Sequence, residues 1–124
     1  MLLITGGAGY IGSHVVHGLL DRGREVLVLD NLSRGHEELV GKALFEVCDL
    51  RDLAQVRKVL GKYPIDGVFH FASLSLVGDS MSDPHSYYRN NIGGTMNMIT
   101  AMLEAGIERI VFSSSAAVYG EPRV

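Results

Sequence analysis

An apolar run, a glycine cluster and an amphipathic stretch follow one another without a gap at the start of this chain. Leu2-Leu3-Ile4-Thr5 leads into Gly6-Gly7-Ala8-Gly9-Tyr10-Ile11-Gly12, and apolar residues then recur at Ile11, Val15, Val16, Leu19 and Leu20. That order reads as strand, tight turn and helix. Glycine lets the backbone turn sharply and approach a ligand closely, and a helix N-terminus offers free N–H groups and the positive end of its dipole to an anion. The next apolar run, Glu25–Asp30, ends in a carboxylate eighteen residues beyond Gly12. At this spacing the turn predicts a pyrophosphate cradle, and Asp30 predicts an acceptor for the ribose hydroxyls of an adenine dinucleotide. Two glycine registers fit, Gly7-x-Gly9-x-x-Gly12 and Gly6-x-x-Gly9-x-x-Gly12. We expect Gly6, Gly9 and Gly12 around the pyrophosphate, with Tyr10 and Ile11 on the first helical turn beside it. The charge of Asp30 disfavours a 2′-phosphate, so the expected cofactor is NAD rather than NADP, and Arg34 reads as a solvated loop residue. On this reading Asp30→Ala weakens NAD and barely touches the fold.

Short apolar runs alternate with longer amphipathic stretches along the rest of the chain. Strands are predicted at Leu2–Thr5, Glu25–Asp30, Ala43–Cys48, Gly67–Phe71 and Arg109–Ser113. Their cores are continuously apolar, as in strands buried on both faces of a parallel sheet. Helices are predicted at Tyr10–Arg22, Asp52–Leu60 and Pro84–Ala105, each followed by a glycine (Gly23, Gly61, Gly106) suited to a left-handed cap. Asn31–Lys42 reads as a loop beside the adenosine. Right-handed crossovers between such elements give a Rossmann-type doubly wound α/β sheet of five parallel strands in the order 3-2-1-4-5. The cofactor is expected across the strands' carboxyl ends, where the order reverses.

Composition narrows the partners. The 124 residues suit one domain, and a net charge of −3 without a basic stripe argues against a nucleic-acid surface. The mixed-charge segment 51–62 reads as a solvated helix face. No apolar stretch approaches membrane-spanning length, and Met1 running straight into a strand predicts no signal peptide. The single cysteine, Cys48, cannot form an internal disulfide; it reads as a buried core thiol, with the cytoplasm as the expected compartment. No metal site is expected.

Several residues fall at predicted strand ends. Asp49 can accept a hydrogen bond from an adenine amino group while Leu50 packs on the ring, or Asp49 can cap the next helix, a task open also to Asp52. Phe71, Ala72 and Ser73 allow backbone contact with the middle of a dinucleotide. His70, inside an apolar strand, reads as a satisfied core histidine. Asn90 and Asn91 fall early in the long helix, one able to point at the strand ends and the other at solvent. The fifth strand stops in Ser113-Ser114-Ser115, whose hydroxyls can bond a substrate hydroxyl or a catalytic phenol, or merely satisfy the turn.

These residues together resemble the extended branch of the short-chain dehydrogenase/reductase family, and within it the 4-epimerases of UDP-hexoses. The match lies in Thr5–His14 (TGGAGYIGSH), Asp30–Ser33 (DNLS), Asp49-Leu50, His70–Ala72 (HFA), Val77–Ser80 (VGDS), Tyr87–Thr95 (YYRNNIGGT) and Phe112–Pro122 (FSSSAAVYGEP), and it covers the whole chain. The resemblance implies NAD as cofactor and reversible interconversion of UDP-glucose and UDP-galactose through transient hydride transfer from sugar C4. It also implies a UDP-sugar and a second subunit of a homodimer as partners. Ser115 takes the catalytic hydroxyl role, and Asn31, Ser75, Asn90 and Ser113 join the cofactor-binding residues. A related epimerase or a uronic-acid decarboxylase is the alternative, as is a dinucleotide-binding module without catalysis. Three departures stand out: Ser75 replaces a frequent lysine, Ala117 a frequent threonine, and Ala116-Ala117 the Asp-Glu pair of the related dehydratases. The family's Tyr-x-x-x-Lys pair is absent, because Tyr119 is followed at the fourth place by Arg123. Residues 1–124 therefore read as an incomplete NAD-binding domain, inactive alone, in which Met96, Ile99 and Leu103 lack a packing neighbour.

Overall fold

The structure is a computed structural model and describes residues 1–120. At its centre β1 (Leu2–Thr5) lies between β2 (Val26–Asp30) and β4 (Gly67–His70). Beyond these, β3 (Leu44–Val47) extends the β2 side and β5 (Ile110–Phe112) the β4 side, all pairs parallel, in the order 3-2-1-4-5. Thr5 stands level with Leu29 and His70, so the three central strands release Gly6, Asp30 and Phe71 at one edge of the sheet. That shared edge is where the site forms.

Strand alternation divides the core into two layers. Leu3, Leu27, Leu29 and Val68 face α2 (Leu53–Lys62) and α5 (Gly94–Ala105), burying Val56, Val59, Leu60, Met98, Ala101 and Met102 between them. Ile4, Val26 and Val28 face the other way, onto Val16 of α1 (Tyr10–Leu20) and onto Val40. Asp52 caps α2, its carboxylate accepting from the N–H groups of Ala54 (3.0 Å) and Gln55 (3.2 Å). Of the two aspartates weighed for that task, the nearer one performs it.

The elements depart from expectation in several places. Helix α2 runs through Gly61 to Lys62; the stop comes from Pro64, which holds Tyr63 in extended backbone. Gly23 and Gly106 do adopt the left-handed conformation, at φ 70° and 69°. The expected loop at 31–42 contains a 3₁₀ turn at Glu37–Val40, and an unforeseen helix α3 (Val77–Ser82) follows β4. The long helix is compound: α4 (Pro84–Tyr87) passes through a π-helical turn, Tyr88–Gly93, into α5. Finally, neither edge strand is buried on both faces: Leu44 and Val47 of β3 are 48% and 64% exposed, and Ile110, Val111 and Phe112 of β5 are 41%, 52% and 60% exposed. Ile92, Met96, Ile99 and Leu103 likewise form an exposed apolar stripe, as expected for the last three.

Candidate functional site

The glycine turn is built so that side chains are excluded from its inner surfaces. Gly6 sits at φ 69°, a conformation that penalises any Cβ, and a Cβ there would lie 2.7 Å from the Ala72 backbone nitrogen. Gly12 is pressed harder: its Cβ would stand 2.2 Å from the Gly6 carbonyl oxygen. Gly7 instead backs onto Val28 in the core, whereas Gly6 and Gly9 line a hollow of about 200 Å³. Of the two glycine registers, the one starting at Gly6 is therefore the one that faces open space. Gly9 is also the N-cap of α1 and brings no side chain to cover its first turn.

Asp30, buried at the end of β2, forms the adjoining wall. Its Oδ2 accepts from the Ala8 N–H (3.1 Å) and its Oδ1 from the Leu32 N–H (2.9 Å), which holds Leu32 at φ 57°. Asp30 is thus a structural tie between the glycine turn and the following loop as well as a groove residue. That corrects the expectation of a replaceable carboxylate. Tyr10, Asn31, Leu50, Phe71, Ala72, Ser73, Ser75 and Asn90, all expected at the cofactor, line the same hollow. Leu29, Cys48 and Leu74 join them unforeseen, and Ser33, Arg34 and Gly35 come from the loop expected beside the adenosine, so Arg34, read above as solvated, lines the hollow. Cys48 is buried, and burial pushes its thiol up to about 11, so it lines the groove as a neutral apolar surface.

Three expected residues stand beside this hollow rather than on its lining. Ile11 projects from the first turn of α1, 59% exposed, and Gly12 lies beneath the turn. Asp49 engages Arg51, accepting from its backbone N–H (2.9 Å) and its guanidinium (2.6 Å at the shortest), and that pairing holds its carboxyl below the usual range.

A second, larger hollow of about 670 Å³ shares Ala72–Ser75 with the first and continues over His70, Asn91, Thr95 and the segment from Phe112 to Ala117. Ser113 and Ser115 belong to it. The Ser113 N–H donates to the His70 carbonyl (3.2 Å), extending β5 against β4. The Ser115 hydroxyl accepts from the Ala117 N–H (3.1 Å) and caps a 3₁₀ turn, Ala116–Tyr119. Arg123, named above for the missing lysine, lies outside the described residues. Neither asparagine points to solvent: Asn90 lines the first hollow, while Asn91 binds both backbone groups of Leu74 at 2.8 Å. Tyr87 does the same for Leu76, accepting from its N–H (3.1 Å) and donating to its carbonyl (2.8 Å). These two clamps fix the wall between the hollows.

Beneath that wall runs a hydrogen-bond chain that the sequence reading did not foresee. Thr95 donates to the Asn91 carbonyl (2.6 Å), which leaves its oxygen to accept from His70 Nε2 (2.8 Å). His70 Nδ1 then accepts from the Thr5 hydroxyl (2.7 Å). His70 is thus a neutral, fully satisfied core histidine, and burial holds its pKa below the ordinary value. As pH falls below about 6.5, the ordinary histidine value, the unfolded chain takes up this proton first and is favoured. Stability is therefore expected to decline from pH 6.5 towards 5, and His70→Gln to flatten that slope in urea titrations. Equal slopes in the two proteins would refute the assignment.

Among the described residues no cluster of three or more His, Cys, Asp or Glu could hold a metal ion, and no helix is long and apolar enough to cross a membrane. The parallel order, the glycine turn and the acidic end of β2 define a Rossmann-type domain. The chain belongs to the NAD dependent epimerase/dehydratase family, whose model matches residues 2–124. It is 52% identical over 122 residues to a UDP-glucose 4-epimerase of Streptomyces lividans, covering 97% of this chain and 37% of that one. A UDP-glucose 4-epimerase of Halalkalibacterium halodurans is 49% identical over 121 residues, 98% of this chain and 36% of that one. The structure superposes with a TM-score of 0.91 on a UDP-glucose 4-epimerase from Brucella ovis solved in complex with NAD, at 41% identity, covering 99% of this chain and 38% of that one. The chain thus spans a little over a third of the length of the curated relatives it matches.

Proposed function

We propose that this chain binds NAD and forms the cofactor-binding part of a UDP-glucose 4-epimerase. The observation that carries the reading is the first hollow, in which the glycine turn, Asp30 and the Phe71–Ser75 backbone meet, in a chain about half identical to enzymes of that name. The cradle fits the cofactor chemically. Gly9 leaves bare backbone at the start of α1 for a diphosphate, with Gly6, Gly12, Tyr10 and Ile11 around it. Asp30 suits ribose hydroxyls and repels a 2′-phosphate, with Asn31 beside it. Asp49 and Leu50 border the adenine end; Ala72, Ser73, Ser75, Asn90 and Ser113 border the nicotinamide half. Bound NAD supplies a hydride acceptor for the sugar C4. Ser115 in the second hollow offers a hydroxyl to the reacting sugar, or to a phenol brought by another segment.

Residues 1–124 are on this reading the NAD-binding domain of a cytoplasmic homodimer that takes a UDP-sugar. The 124-residue chain holds no Tyr-x-x-x-Lys pair, and proton transfer by a positioned side chain contributes roughly 10²–10⁴-fold. Calorimetric titration is expected to show binding of NAD and at least tenfold weaker binding of NADP. The isolated chain should not turn over UDP-galactose at saturating NAD. Equal affinity for the two cofactors would sink the Asp30 assignment, and robust turnover would show that another base serves.

A further inference from the structure

The two walls of the first hollow belong to different parts of the chain and are anchored separately. One wall, Asn31–Gly35, is tied to the glycine turn by the His36 N–H donating to the Ala8 carbonyl (2.9 Å) and by the Asp30 carboxylate on Leu32. The other, Ser73–Leu76, is held from behind by Asn91 and Tyr87 and continues directly into α3. Between them, Arg34 on the first wall donates from Nη2 to Asp79 Oδ2 on α3 at 2.7 Å, across 45 residues of sequence. Both side chains are about half exposed, 54% and 51%, so the pair lies at the mouth of the hollow rather than on its floor.

We propose that the Arg34–Asp79 ion pair is a strap across the mouth of the dinucleotide groove, and that both are positioning residues that slow cofactor release. This rests on the NAD reading above. Arg34 lines the groove whereas Asp79 does not, so the proposal separates from the simpler one in which the arginine touches a cofactor phosphate. A strap needs both charges and loses its whole effect when either is removed. A phosphate contact needs the arginine alone.

The test is a double-mutant cycle on the release rate, with wild type, R34Q, D79N and R34Q/D79N each loaded with NADH as a fluorescent probe and chased with excess NAD in a stopped-flow instrument. An exposed ion pair supports roughly a two- to fivefold effect. Each single variant and the double variant are expected to release NADH two to five times faster than wild type, to the same extent, with unchanged melting temperatures. The wild-type advantage should shrink as salt rises from 0.05 to about 0.5 M. Faster release in R34Q with a wild-type rate in D79N would overturn the strap in favour of a direct arginine–phosphate contact. Four equal rates would overturn it outright while leaving NAD binding intact. A wild type that holds neither NADH nor NAD would overturn the functional reading and the strap with it.

Discussion

Gly12→Ala is expected to bring the chain to the edge of unfolding, while Gly9→Ala, three residues earlier, leaves it folded and closes its groove. The two glycines share a motif but not a surrounding. A Cβ at position 12 would stand 2.2 Å from the Gly6 carbonyl oxygen and 2.8 Å from the Gly7 Cα, both backbone atoms of the same turn. Neither can retreat without withdrawing Gly6 from its own close contact with Ala72, so α1 must lift away from the sheet. Overpacking commonly costs about 1–3 kcal/mol and more where backbone is the obstacle; we expect roughly 3–5 kcal/mol here. That approaches the whole stability of a domain at the lower end of the usual ~5–15 kcal/mol. At position 9 the nearest neighbour would be the Gly6 carbonyl at 3.3 Å, a contact that small shifts relieve. The added methyl there meets the space where a diphosphate would approach α1. Urea midpoints and NAD titrations on both variants test the contrast, and a Gly12→Ala midpoint matching that of Gly9→Ala would refute it.

Asp30→Ala is expected to lose stability and NAD together. Its two oxygens satisfy the N–H groups of Ala8 and Leu32, and Ala8 is fully buried. A buried donor left without an acceptor costs about 1–3 kcal/mol, and the released Leu32 loses the bond that holds it at φ 57°. Asp30→Asn keeps one acceptor oxygen and should retain part of the stability while still losing preference for NAD over NADP. Thermal melting with parallel cofactor titrations separates the two effects. An Asp30→Ala protein that melts like wild type would show that water replaces the carboxylate at both N–H groups.

Asp30 plays two parts, and only one of them is local in sequence. An acidic residue at the end of the second apolar run was enough to place it at the groove, because spacing along strand, turn and helix is set by local geometry. That the same carboxylate also braces the glycine turn depends on Ala8 and Leu32 converging on it. His70 shows the same division: an apolar strand around it indicated burial, but Thr5 and Thr95 come from elements 65 and 25 residues away. The serine run was legible as the end of a strand at the carboxyl edge of the sheet, yet only the structure shows that the Ser115 oxygen also accepts from the Ala117 N–H, which leaves its O–H to donate. Helix α3 is not legible in the sequence because Val77-Gly78-Asp79-Ser80 carries no helical apolar period.

Taken by itself, the sequence determined the fold class, the five strands and their order, and most of the residues around the first hollow. Those follow from interactions short in sequence: apolar periodicity, the glycine turn, proline and aspartate at helix ends, and the right-handedness of crossovers. Only the tertiary structure decided which groups close the gaps between elements. The Asn91 and Tyr87 clamps, the Thr5–His70–Thr95 chain and the Arg34–Asp79 pair all join segments brought together by the sheet. It also decided which apolar runs remain uncovered. Hydrophobicity shows that β3, β5 and the outer stripe of α5 suit burial, but exposure depends on what packs against them, and their own residues do not carry that information.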